Sequence, residues 1–111
     1  MIGTPLYMSP EQFNSKKYGF KSDIWAFGCC LFEFCNYKHA FEGSNWNAVA
    51  MKVIKGTKAP VNSIYSKELR TLIDQMLNVN PNNRPTINGI LEKPFIKKRV
   101  INYMLENIRN Y

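Results

Sequence analysis

The chain has 111 residues, 45% of them apolar and 14% aromatic, and carries a net charge of +7. That length and composition exclude a disordered chain and more than one domain within these residues, and support one globular domain that buries somewhat over ~60% of its unfolded surface. The basic residues are dispersed apart from Lys97, Lys98 and Arg99, so nucleic-acid binding is not the expected function. Cys29, Cys30 and Cys35 lack C-x-x-C spacing and His39 is the single histidine. The cysteines therefore read as reduced core residues of a cytoplasmic or nuclear protein, and no metal site is expected. Neither a signal peptide nor a membrane-spanning run is read from the sequence.

In chain order, residues 1–11 (M-I-G-T-P-L-Y-M-S-P-E) form a constrained loop, because Gly3, Pro5 and Pro10 interrupt regular structure. Residues 12–20 read as a polar connector. From Ile24 to Cys35 every residue except Gly28 and Glu33 is apolar, which predicts a helix buried on nearly every side. Ser22 is its expected cap, Asp23 sits where the helix dipole favours negative charge, and Asn36 is its expected stop. A strand of a parallel sheet is the competing reading of such a run, but its length and cap favour a helix.

Phe41 anchors the loop that follows. Ser44 or Asn45 caps a second helix through Trp46, Val49, Ala50, Val53 and Ile54, which Gly56 closes. Ser66 caps a third through Leu69, Leu72, Ile73, Met76 and Leu77. Thr86 caps a short fourth through Ile87, Ile90 and Leu91, stopped before Pro94. A last helix carries an apolar stripe at Val100, Ile101, Met104, Leu105 and Ile108, expected to pack on the rest of the domain or to begin a dimerisation extension. No strand and no internal repeat is read. The fold class is all-α.

Three stretches now carry a resemblance: G-T-P-L-Y-M-S-P-E at 3–11, D-I-W-A-F-G at 23–28 and N-P-N-N-R-P-T at 80–86. They resemble three consecutive landmarks of the C-terminal lobe of eukaryotic protein kinases, in the right order. Together with K-S-D-I-W-x-x-G-C and I-L-x-K-P-F-I, the match is to the NIMA-related (NEK) serine/threonine kinases. The resemblance implies a helical lobe built around the buried helix. It divides the chain into residues 1–97, part of a kinase domain, and 98–111, a helical extension.

It also implies roles. Gly3, Thr4 and Pro5 resemble the loop that receives substrate. Asp23, Trp25 and Gly28 would support the catalytic loop, and Glu11 would form a buried ion pair with Arg84. Ser9-Pro10-Glu11 stands where Ala-Pro-Glu is usual, and Ala40-Phe41 departs from the commoner Pro-Phe. Glu33 stands where some kinases hold a carboxylate for a substrate arginine. A carboxylate on a buried helix needs partners in any case, and a structural hydrogen bond is the favoured reading of it.

Phosphoryl transfer needs groups to hold phosphates, magnesium and the hydroxyl proton. The glycines at 3, 19, 28, 43, 56 and 89 exclude G-x-G-x-x-G, His39 precedes Ala40, and Asp23 and Asp74 precede Ile and Gln. No catalytic residue is therefore expected in this chain. ATP and Mg²⁺ belong to the full-length parent, together with a protein substrate and the remainder of the kinase domain. Self-association is a further expectation, and no membrane partner is expected. Met1-Ile2 falls where an activation segment would already be under way, which favours a fragment of a kinase. The alternative is a free-standing lobe that acts as a non-catalytic binding module.

Overall fold

A computed structural model describes residues 5–14, 16 and 18–109, and those residues form six α-helices and no strand. The helices are α1 (Pro10–Phe13), α2 (Phe20–Asn36), α3 (Trp46–Lys55), α4 (Lys67–Met76), α5 (Ile87–Leu91) and α6 (Pro94–Arg109). Short 3-10 turns lie at Pro5–Tyr7 and Pro81–Asn83. The caps follow side-chain chemistry. Asn45 accepts from the Ala48 N–H (2.9 Å), Ser66 from Leu69 (3.2 Å) and Thr86 from Gly89 (2.9 Å), each filling a donor that the helix start leaves unpaired. Gly56 ends α3 with φ 68°, a left-handed conformation that costs glycine nothing.

The start of α2 differs from expectation. Gly19 is its cap and the helix begins at Phe20, so Ser22 lies inside the first turn. Ser22 does not cap because its hydroxyl has a buried partner, donating to Glu11 at 2.8 Å. At the other end Asn36 is still helical, and Tyr37 takes the left-handed cap position with φ 56°. Asn36 instead ties the helix end to the loop after α3, donating to the Pro60 carbonyl (3.0 Å) and accepting from Asn62 (2.8 Å).

Two apolar clusters pack against α2. Trp25, Cys29 and Phe32 meet Phe41, Val49, Val53, Ile73 and Leu77 in one. Ile24 meets Leu72, Met76 and Ile90 in the other. Trp25 stacks on Phe41 with ring centroids 5.2 Å apart, and edge-to-face contact between Phe13 and Trp46 (5.4 Å) joins α1 to α3. Helix α4 presses against α2 at Gly28, where a side-chain carbon would stand 2.9 Å from Met76 Cβ.

A helix apolar on nearly every side needs cover on every side, and in this chain one side of α2 is left uncovered. Phe20 is 65% exposed, Phe27 45% and Phe34 75%, a stripe at helical spacing that also carries Cys30 to solvent. Of the three cysteines only Cys29 and Cys35 are in the core, and burial pushes the Cys29 thiol up to about 12. The last helix starts at Pro94, a residue suited to a first helical turn, and runs to Arg109. No residue of α6 is buried, and the face from Val100 to Ile108 does not pack on the domain.

The contact at Gly28 sets a testable limit. Gly28→Ala gains up to ~1 kcal/mol of helix propensity, but it forces a methyl into Met76 and Leu77, and overpacking costs about 1–3 kcal/mol. A net loss is expected, read as a lowered denaturant midpoint. A midpoint equal to or above that of the native chain would refute the close approach.

Candidate functional site

The site is built where the N-terminal loop, the first turn of α2 and the loop before α5 converge. Pro10 starts α1 and places Glu11 in its first turn, while Pro81 and Pro85 constrain the loop that presents Arg84. Glu11 is 8% exposed and Arg84 2%. Arg84 Nη1 donates to Glu11 Oε2 at 2.7 Å and Nη2 to Oε1 at 2.8 Å, a two-pronged bond between planar groups. The other donors are also filled: Nε by the Asn78 carbonyl (2.8 Å), Nη1 by Lys21 (2.9 Å) and Nη2 by Val79 (3.3 Å). Those bonds account for all five N–H groups of an arginine. The guanidinium also lies 4.9 Å from the Trp25 ring, within cation–π range.

Behind the pair runs a hydroxyl relay that the sequence reading does not anticipate. Ser9 Oγ lies 3.1 Å from Ser22 Oγ, which donates to Glu11 Oε2. Ser9 and Ser22 are both buried, and each hydroxyl has a second partner as well, Gln12 Oε1 for Ser9 (3.1 Å) and Glu11 for Ser22. The signal was present in the sequence: a serine where alanine is usual at position 9 calls for a buried partner. Burial alone would push the Glu11 carboxyl up. The Arg84 hydrogen bonds, its own backbone N–H, the Ser22 hydroxyl and the Arg84 charge outweigh burial and hold it at about 2.

Asp23 lies on the exposed side of α2, bonded to the Tyr18 hydroxyl. It borders a groove between α2 and α5 whose apolar walls are Phe20, Ile24, Phe27 and Ile87. Trp25 and Gly28 sit in the core beneath it. Gly3 and Thr4 lie outside the described residues; Pro5 is buried at the start of its 3-10 turn.

Glu33 belongs to a second cluster, 20 Å or so along the helix at 1.5 Å per residue from α2's first turn. Tyr7 donates to its two oxygens at 2.7 and 2.8 Å, and His39 Nδ1 contacts the same carboxylate. The hydrogen bond to Glu33, with burial and the Glu33 charge, pushes the Tyr7 hydroxyl up to about 12. Sequence reasoning named Glu33 but neither of its partners, which lie 26 residues before it and 6 after it.

The site thus joins a constrained N-terminal loop, pinned by a buried carboxylate–arginine pair, to a helix with an acidic residue at the edge of an open groove. The protein kinase domain family matches residues 1–96, and the chain belongs to that family. It is 50% identical to the mouse serine/threonine-protein kinase Nek1 over 103 residues, 93% of this chain and 9% of that protein. It is 50% identical over 99 residues to a probable serine/threonine-protein kinase, nek3, of Dictyostelium discoideum, covering 88% and 9%. Against the human serine/threonine-protein kinase Nek5 it is 42% identical over 107 residues, covering 96% and 15%. The chain spans 9–15% of the length of these relatives. Within the family its branch is that of the NIMA-related (Nek) serine/threonine kinases.

The ion pair generates a measurable signature. Removing Arg84 or Glu11 strands a buried charge, so Arg84→Ala and Glu11→Ala should each cost roughly 3–5 kcal/mol. The double variant should cost less than the sum of the singles. Because the folded carboxyl is held below the ordinary glutamate value of about 4.3, its contribution is complete above that value. It is lost as pH falls through about 2. Urea midpoints from pH 7 to pH 2 should therefore drop steeply for the native chain and less for Glu11→Gln. Parallel pH profiles would show that the pair contributes nothing.

Proposed function

We propose that this chain forms the substrate-side scaffold of a NIMA-related serine/threonine kinase, and that transfer of the ATP γ-phosphoryl group to a protein serine or threonine is performed by the whole kinase domain. The observation that carries this reading is the uncovered stripe Phe20, Phe27 and Phe34 beside Asp23. A central helix with an apolar stripe and a carboxylate at its edge suits a second layer of kinase polypeptide. The remainder of the kinase domain is the partner that this reading supplies. Pro5, with Gly3 and Thr4 before it, would receive the substrate segment, and Asp23 would accept backbone N–H groups of the catalytic loop.

ATP and Mg²⁺ are the cofactors this reading assigns to the parent. The chain lacks G-x-G-x-x-G, H-R-D and D-F-G, so its residues do not fit a nucleotide–magnesium site, and no catalytic step is assigned to them. Glu33 is held by Tyr7 and His39, which supports a positioning role between the substrate loop and α2 over contact with substrate. The cytoplasm or nucleus is the compartment proposed for a protein with these unpaired thiols.

Two measurements on the 111-residue chain test the proposal. Calorimetry with ATP–Mg²⁺ should give no binding heat, and incubation with casein and labelled ATP should transfer no phosphate. A micromolar ATP site would overturn it. The exposed stripe should bind a hydrophobic dye, and Phe27→Ser with Phe34→Ser should remove most of that signal. A chain that binds no dye would remove the support for a missing second layer.

A further inference from the structure

Helix α6 presents a surface that the kinase reading leaves unused. The kinase-domain match ends at residue 96, and it is the helix's start that meets the domain, where Phe95 and Ile96 pack on Ile24, Leu72, Met76 and Ile90. Beyond them Val100, Ile101, Met104, Leu105 and Ile108 are all exposed. At 100° per residue these five fill an arc of about 140°. Lys97, Lys98 and Arg99 precede the arc and Arg109 follows it, with Glu106 the single acid between Pro94 and Arg109. Lys98 and Arg109 border one edge of the arc by the same geometry.

We propose that α6 is a docking helix for a protein whose apolar groove is rimmed by carboxylates. Charge complementarity selects this occupant. Four cations against one acid give the helix a charge of +3, matched by an acidic rim around a groove that receives apolar anchors at helical spacing. A second copy is the poorer fit. A parallel pair sets Lys97–Arg99 against themselves, and an antiparallel pair sets Arg109 beside them. The stripe covers about one and a half heptads where a coiled coil asks for three to four. An anionic bilayer is also a poorer fit, because the arc holds neither Trp nor Phe, the residues that anchor helices in the interface.

The test uses the full chain and Ca²⁺-loaded calmodulin as the acidic-groove probe, by calorimetry, and does not depend on kinase activity. Calcium-dependent binding of about 1 μM or tighter is expected. Leu105→Asp and Ile101→Asp, on exposed positions, should each weaken it roughly tenfold or more. The joint change of Lys97, Lys98 and Arg99 to Glu should do the same while circular dichroism keeps its helical signal. If an aspartate variant loses helicity, the charge reversal decides. No binding, or binding unchanged by the variants, overturns the proposal. So does a dimer of the native chain that Leu105→Asp dissolves, or binding to phosphatidylserine vesicles as tight as to the probe.

Discussion

Every donor of the Arg84 guanidinium is committed, two to Glu11 and the others to the carbonyls of Lys21, Asn78 and Val79. The loop before α5, the first turn of α2 and the helix after the N-terminal loop thereby share one buried cation. A charge removed from water this completely is tolerated only when its partners are all present. The arrangement therefore behaves as a unit in which no single bond is optional. Arginine suits the position because its planar fork matches a carboxylate and its charge is permanent. Ser9 and Ser22 extend the unit by one layer, so that Glu11 is oriented by a hydroxyl on one side and a guanidinium on the other.

Helix α2 is held from this corner. One side of it carries Ile24, Trp25, Gly28, Cys29 and Phe32 into the two clusters. The glycine lets α4 approach closely enough for Met76 and Leu77 to fill the space beside it. The opposite side carries Phe20, Phe27, Cys30 and Phe34 into solvent. The same helix thus anchors the described domain on one side and leaves an apolar face uncovered on the other.

The Tyr7–Glu33–His39 cluster performs a related task at the far end. It joins the 3-10 turn after the N-terminal loop to the last turn of α2 and to the loop beyond it. Fixing the turn at Tyr7 and again at Glu11 leaves little freedom for the segment between them. A carboxylate that already satisfies a phenol and an imidazole is not a vacant cation site, which is why its neighbours matter more than its position in a motif.

What the sequence determined by itself were the features written in local chemistry. Helical periods located the order of the five helices from α2 onward, the caps Asn45, Ser66 and Thr86 were readable as side-chain acceptors, and three motif blocks carried the family resemblance. The partners Glu11 and Arg84, 73 residues apart, were legible only through that resemblance. Tertiary structure alone decided the rest. Ser22 left its expected cap for Glu11 because a buried hydroxyl goes to the strongest acceptor within reach, and reach is a property of the folded chain. Glu33 acquired Tyr7 and His39 for the same reason. Which side of α2 is covered, and that the stripe of α6 is not, were undecidable from hydrophobic period. A period reports that a face is apolar, whereas burial depends on whether another element stands opposite it.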